Sequence, residues 1–153
     1  MKRVLFTMLF TVLCILGFSQ SYQKAAGLRA GSSLGLSYKQ FLSPVKAVEG
    51  IADLDIIGRN FMKFKVSGYY LHHFDMDAEG LTLFAGPGAS AGLYVSGEYK
   101  DKLILSLDLM GGIEYKFPNA PFILAFDWNP KLQMITDAGF KPASFGLTAR
   151  YVF

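Results

Sequence analysis

The chain has 153 residues, room for one domain and no more. Charged residues make up only 18% while aromatics reach 15% and glycines number 16, a composition leaner in charge than that of a typical soluble domain. The formal net charge of +3 shrinks to 13 basic against 12 acidic residues once Lys2 and Arg3 are set aside, which excludes the basic excess that a nucleic-acid partner would require.

Lys2 and Arg3 precede an apolar run from Val4 to Phe18, and Gly17-Phe18-Ser19 sets small residues at the −3 and −1 positions of a cleavage site after Ser19. The run is about 15 residues long, short of the ~20 that a spanning helix needs. Residues 1–19 therefore read as a cleaved signal peptide, and the chain as exported. Cys14 is the only cysteine and follows Leu13, where lipid attachment wants a small residue. The exported part, 20–153, has no cysteine and so cannot rely on disulfides.

No window after Ser19 repeats with a helical period; a period of two appears instead. Residues 21–41 admit one long strand or two hinged at Gly31-Ser32-Ser33. Residues 47–57 alternate Val48, Ala52, Leu54 and Ile56 with Glu49, Asp53 and Asp55. Residues 62–74 set Met62, Phe64, Val66, Tyr70 and Phe74 against Lys63, Lys65, Ser67 and Tyr69. In 81–96 one face is Leu81, Leu83, Ala85, Pro87, Ala89, Ala91, Leu93 and Val95; the other carries a smooth Gly86-x-Gly88-x-Ser90-x-Gly92 stripe between Phe84 and Tyr94. Pro87 removes a ladder donor, which predicts a bulge there. The cleanest alternation is 103–117, with Leu103, Leu105, Leu107, Leu109, Ile113, Tyr115 and Phe117 opposite Ser106, Asp108, Glu114 and Lys116. After a tight turn at Pro118-Asn119-Ala120, residues 122–134 form one strand with Phe122, Leu124, Phe126, Trp128, Leu132 and Met134 on one face. The last, 145–153, alternates Phe145, Leu147, Ala149, Tyr151 and Phe153 with Gly146, Thr148 and Arg150. Single-chain bacterial barrels have even strand numbers; a split at Gly31 gives eight.

Thirteen charges lie within these strands: Arg29, Lys39, Glu49, Asp53, Asp55, Lys63, Lys65, Asp108, Glu114, Lys116, Asp127, Lys131 and Arg150. All share the face opposite the apolar one, because successive side chains of a strand point to opposite sides. A soluble barrel would have an apolar interior and a polar exterior. The reverse, polar within an apolar band, is the transmembrane pattern, and a closed barrel is the one sheet that can span lipid with its backbone groups paired. The expected fold is therefore all-β, an eight-stranded antiparallel up-and-down transmembrane β-barrel. Phe74, Phe117, Phe122 and Phe153 fall at strand ends on the side of the termini, where an aromatic girdle belongs.

The segments Ala26-Gly27-Leu28-Arg29, Leu83-Phe84-Ala85-Gly86-Pro87-Gly88-Ala89, Gly112-Ile113-Glu114-Tyr115-Lys116-Phe117 and Ala149-Arg150-Tyr151-Val152-Phe153 resemble small outer-membrane β-barrel proteins of OmpA/OmpX-like architecture, in particular those common in Bacteroidota. The terminal segment, with Gly146, Tyr151 and Phe153, is similar to the signal read by the barrel-assembly machinery. The resemblance implies an outer-membrane location, contact with outer-membrane lipid, transient contact with that machinery, and a monomer. The predicted outer loops are short, which argues against loop-mediated adhesion.

The thirteen inward charges read as a pairing network that fills the lumen; the alternative is a narrow ion path or small-ligand conduit. His72 and His73 are adjacent, point to opposite faces and cannot chelate one metal together. Asp75, Asp77 and Glu79 read as a solvated turn. No catalytic, cofactor-binding or metal-ligating residue is assigned, and a lipid-modifying enzyme is the weakest alternative. The expected role is structural or a surface interaction.

Overall fold

The computed structural model describes residues 24–55 and 62–153. The proposed signal peptide, Cys14 and Arg59 lie outside the described residues. Ten strands are present among the described residues, without any helix: β1 Lys24–Gly31, β2 Leu34–Ser43, β3 Lys46–Asp55, β4 Met62–Asp75, β5 Leu81–Ser96, β6 Leu103–Lys116, β7 Phe122–Trp128, β8 Lys131–Ile135, β9 Gly139–Lys141 and β10 Phe145–Val152. Each sequential pair up to β7 is antiparallel, β7 pairs with β10, and β10 pairs with β1. The sheet thus closes on itself as an eight-stranded barrel.

The eight staves arise from ten strands because two staves are interrupted. β7 and β8 hold one continuous register against β6, from Lys116↔Ile123 through Gly111↔Trp128 to Asp108↔Lys131. The break at Asn129–Pro130 is where proline has no N–H to give the ladder; there the Leu109 N–H donates to the Pro130 carbonyl at 3.0 Å and the Asn129 N–H to Ser144 O at 2.8 Å. The single strand expected over 122–134 is thus one stave in two pieces. β9 carries the hairpin on, pairing Lys131↔Lys141 to Gln133↔Gly139. Three residues are too few for a period to be read, which is why the sequence is silent about β9. The tip of this hairpin places Thr136 and Asp137 at φ 56° and 53°, both in the left-handed region.

The division at Gly31 is present: β1 and β2 are separate strands, antiparallel from Lys24↔Gln40 to Ala30↔Leu34. Pro87 does not produce the expected bulge. The β4–β5 register is unshifted from Lys63 to Asp75 across it, and Pro87 sits opposite Leu109 of β6. The ladder only skips Tyr70 and Leu71 on the β4 side, so the missing donor is absorbed as a local gap.

Alternation of burial follows the predicted parity through the strand interiors. β4 reads exposed at Phe64, Val66, Tyr70 and Phe74 and buried at Lys65, Ser67, Tyr69, Leu71 and His73. The outer surface is apolar, with Leu28, Leu36, Leu107, Leu109, Leu147 and Phe140 all more than half exposed. At the end holding the termini, Tyr115 and Phe117 meet edge-on at 5.0 Å, and Phe122 meets Tyr151 at 5.6 Å. At the other end Phe126 stacks on Phe145 at 6.2 Å, and Trp128 Nε1 donates to Pro142 O at 2.7 Å.

Closure through β1 and β10 is the feature that separates this fold from an open sheet. Leu28 and Ala149 are register partners with outward side chains. The Leu28→Cys/Ala149→Cys variant is expected to form an intramolecular disulfide on oxidation, seen by peptide mapping. Leu28→Cys/Leu124→Cys, two strands apart at roughly 4.8 Å per strand, exceeds the ~7 Å that a disulfide can bridge. Crosslinks of the first variant only between chains would contradict closure.

Candidate functional site

Among the described residues, chemistry-bearing side chains converge in the polar interior. Of the thirteen charges expected to face inward, ten are buried: Arg29, Lys39, Glu49, Asp53, Lys65, Asp108, Glu114, Asp127, Lys131 and Arg150. Asp55 and Lys63 are half-buried near the end away from the termini, and Lys116 differs from the rest. It shares their parity but ends β6, and its side chain is exposed at the rim. The remaining twelve comprise six cations and six anions.

These groups lie in layers. Nearest the termini, Glu114 accepts from Lys39 Nζ at 2.7 Å, and has His73 Nε2 at 3.4 Å and Arg150 Nη1 at 3.6 Å. Arg150 also binds Glu49 Oε1 through Nη2 and donates from Nε to Ser37 Oγ at 2.9 Å, while Ser37 donates to Glu49 at 2.7 Å. Lys39 on β2 and Glu114 on β6 stand on opposite walls of the eight-stave ring, so their bond spans the lumen. The Lys39 ammonium also lies 4.6 Å from the Phe84 ring centre, within cation–π range.

Next comes an apolar layer: Ile51, Leu71, Phe84, Met110 and Ala125, with the ring of Tyr69, form a buried cluster. Ile51 is flanked along its own strand by Glu49 and Asp53, and Leu71 by Tyr69 and His73. Above it Arg29 Nη2 donates to Asp127 Oδ1 at 2.6 Å, and Tyr69 OH donates to Asp108 Oδ2 at 3.1 Å while accepting from Asn129 Nδ2 at 3.3 Å. The final layer, near the hairpin loops, holds Asp53 and Lys65 at 3.7 Å with Asp55, Lys63 and Lys131. At the β8–β9 hairpin, the Lys141 hydrogen bond to Asp137 at 2.7 Å holds that carboxyl below its ordinary range.

Glycines make this packing possible. A Cβ on Gly146 would stand 2.3 Å from the Arg29 guanidinium, and one on Gly88 2.3 Å from the Tyr69 ring. Gly146, taken from sequence as part of a terminal assembly signal, is thus also the seat of Arg29. Tyr151 faces outward, and the Phe153 N–H donates to Lys24 O at 3.0 Å. The Gly86-x-Gly88-x-Ser90-x-Gly92 stripe receives Tyr69 and Lys65 from β4, the latter with Cγ 2.8 Å from a Cβ on Gly92.

Arg29, Glu49, Glu114 and Arg150 all belong to the inward set expected from sequence. The last three do form one cluster, whereas Arg29 belongs to a separate layer with Asp127. His73, Ser37, Tyr69 and Asn129 join the network without having been singled out. Parity places His73 with Tyr69 on the inward face and His72 on the outer one. Among the described residues no group of three or more His, Cys, Asp or Glu is placed to hold a metal ion.

Fold and interior together define a class: a small closed antiparallel β-barrel whose lumen is filled by paired charges and whose exterior is apolar. Searches of protein-family models, curated proteins and solved structures find no match to the chain.

Removing one partner of a buried pair leaves an uncompensated charge, at a cost of about 3–5 kcal/mol, while replacing both by apolar groups is often nearly neutral. Arg29→Met is therefore expected to lower unfolding stability in detergent by about that amount, and Arg29→Met/Asp127→Leu to recover most of it, read from urea titrations. Equal loss in both variants would mean that the pair is not the interacting unit.

Proposed function

We propose that the chain is exported, loses residues 1–19 and inserts into the outer membrane as a monomeric, plugged β-barrel with a structural or surface-interaction role. The observation that carries this reading is the polarity of the wall: paired charges inside, Leu, Ile, Val, Phe, Tyr and Trp outside. An apolar band exposed to water would cost roughly 25 cal/mol per Å², whereas against hydrocarbon that cost disappears. Strands of 14 to 16 residues in β4 to β6 exceed the ~9–11 that a tilted span requires. Aromatic pairs at both rims suit the two interfaces of a bilayer. The terminal Gly146, Tyr151 and Phe153 fit insertion by the barrel-assembly machinery, and the small-barrel architecture fits the OmpA/OmpX-like proteins of Bacteroidota.

The plugged state rests on the apolar layer. Ile51, Leu71, Phe84 and Met110 interrupt the polar groups along the lumen, and Lys39–Glu114 bars the neighbouring level, nearer the termini, from wall to wall. Ions crossing it would shed water with no polar wall to replace the shell.

The refolded protein is expected to migrate differently on gels before and after heating, to require detergent or lipid for solubility, and to give no discrete steps in planar-bilayer recordings. A stable monomer in detergent-free buffer would overturn the membrane assignment. Discrete steps that vanish on Lys63→Glu would replace the plugged barrel with a conducting one.

A further inference from the structure

The end of the lumen away from the termini holds a polar cavity of about 180 Å³, walled by Lys63, Lys65, Lys131 and Lys141 with the hydroxyls of Ser33 and Ser106. Asp55 is the one acidic residue on that wall. Lys65 and Lys131 are 8% and 7% exposed, so both ammonium stems are held in the barrel wall rather than waving in solvent. Their settings differ. Lys65 has Asp53 at 3.7 Å. Lys131 stands opposite Asp108 in the β6–β8 ladder, near Asp53 and opposed by Lys65; among the described residues neither carboxylate comes within ion-pair distance of its ammonium and no acceptor takes its hydrogen bonds. Lys63 is held by the Tyr94 ring, 5.0 Å from its ammonium to the centroid, and Lys141 by Asp137 at 2.7 Å.

A buried cation without its own partner is costly, and the other two layers of this lumen pair theirs closely. Here the unpaired cation opens onto a cavity, beside further lysines. Ser33 accepts from Arg29 Nη1 at 3.4 Å and so keeps its own O–H to donate. The donors come from the β1–β2 turn, β4, β8 and β9, on several sides of the space, while the Ser106 hydroxyl on β6 is shared with Ser90 at 2.5 Å. A flat carboxylate would meet only some of them; a tetrahedral oxyanion presents oxygens in every direction, and lysine binds phosphate as a mobile point charge. The volume is about six times the ~30 Å³ share of one water, enough for a phosphate group with a few waters and too little for a sugar chain.

We propose that this cavity is a binding site for a phosphate-class oxyanion, with Lys131 as its central ligand and Lys63 and Lys65 completing the charge. The phosphate is either free and enters by the barrel mouth, or is carried on a lipid headgroup at the rim; the chemistry of recognition is the same.

The test uses the full exported chain refolded in detergent and titrated calorimetrically with inorganic phosphate, then separately with bisphosphorylated lipid A in mixed micelles. Saturable one-site binding to either probe is expected, weakened at least tenfold by Lys131→Met and by Lys63→Met, and unchanged by Lys46→Met on the far side of the barrel. Heat-dependent gel migration reports whether each variant folds, and Lys63→Met, at a half-buried position, decides the matter should Lys131→Met misfold. Binding of inorganic phosphate identifies the free anion as the source; binding of lipid A alone identifies the headgroup. Absence of saturable binding to both, or binding that folded Lys131→Met and Lys63→Met leave unchanged, would overturn the site.

Discussion

A ring of eight β-staves encloses a space only as wide as two opposed side chains, and the bond between Lys39 on β2 and Glu114 on β6 is the measure of that width. Everything else in the interior answers to this narrowness. A charge pointing inward cannot retreat to bulk water; it must find a partner across or along the wall. Long side chains need a recess in the wall to cross, and Gly146 under Arg29 and Gly88 under Tyr69 supply it. The glycine content that first marks the composition as unusual therefore has a packing cause within the lumen.

Layering follows from the same constraint. Opposite walls meet at equal height, so residues two positions apart on one strand belong to different levels. Glu49, Ile51 and Asp53 occupy three successive levels, as do His73, Leu71 and Tyr69. This is how one apolar layer comes to divide two polar ones, although all thirteen strand charges share one face by parity. The division separates a balanced inner cluster, where Lys39 and Arg150 meet Glu49 and Glu114, from an outer end where lysines outnumber the acids around the cavity.

The staves also show how local backbone chemistry is absorbed without disturbing the ring. Pro130 divides one stave but leaves its register against β6 intact. Pro87 leaves two ladder positions of β4 without a bridge while its own neighbours stay in register. In both cases the pairing on the other side of the strand holds the alternation in place, because a one-residue slip would turn a whole set of charges outward.

By itself the sequence determined the parity of each strand, the charge-free outer face and the inward set of charges, since a period of two is a local property that survives without knowledge of neighbours; the division of residues 21–41 into two strands was settled by the structure. Residues as different as Arg29, Glu114 and Lys131 were placed on the inner face for this reason alone. Lys116 shows the limit: its parity was right, but a strand end has no opposing wall, so it stands exposed at the rim. Only the tertiary structure decided which charge meets which, because height in the barrel depends on the stagger between strands and not on alternation. Stagger is what joins Arg150 to Glu49 across 101 residues of sequence, sends Arg29 to Asp127 instead, and leaves Lys131 facing a cavity.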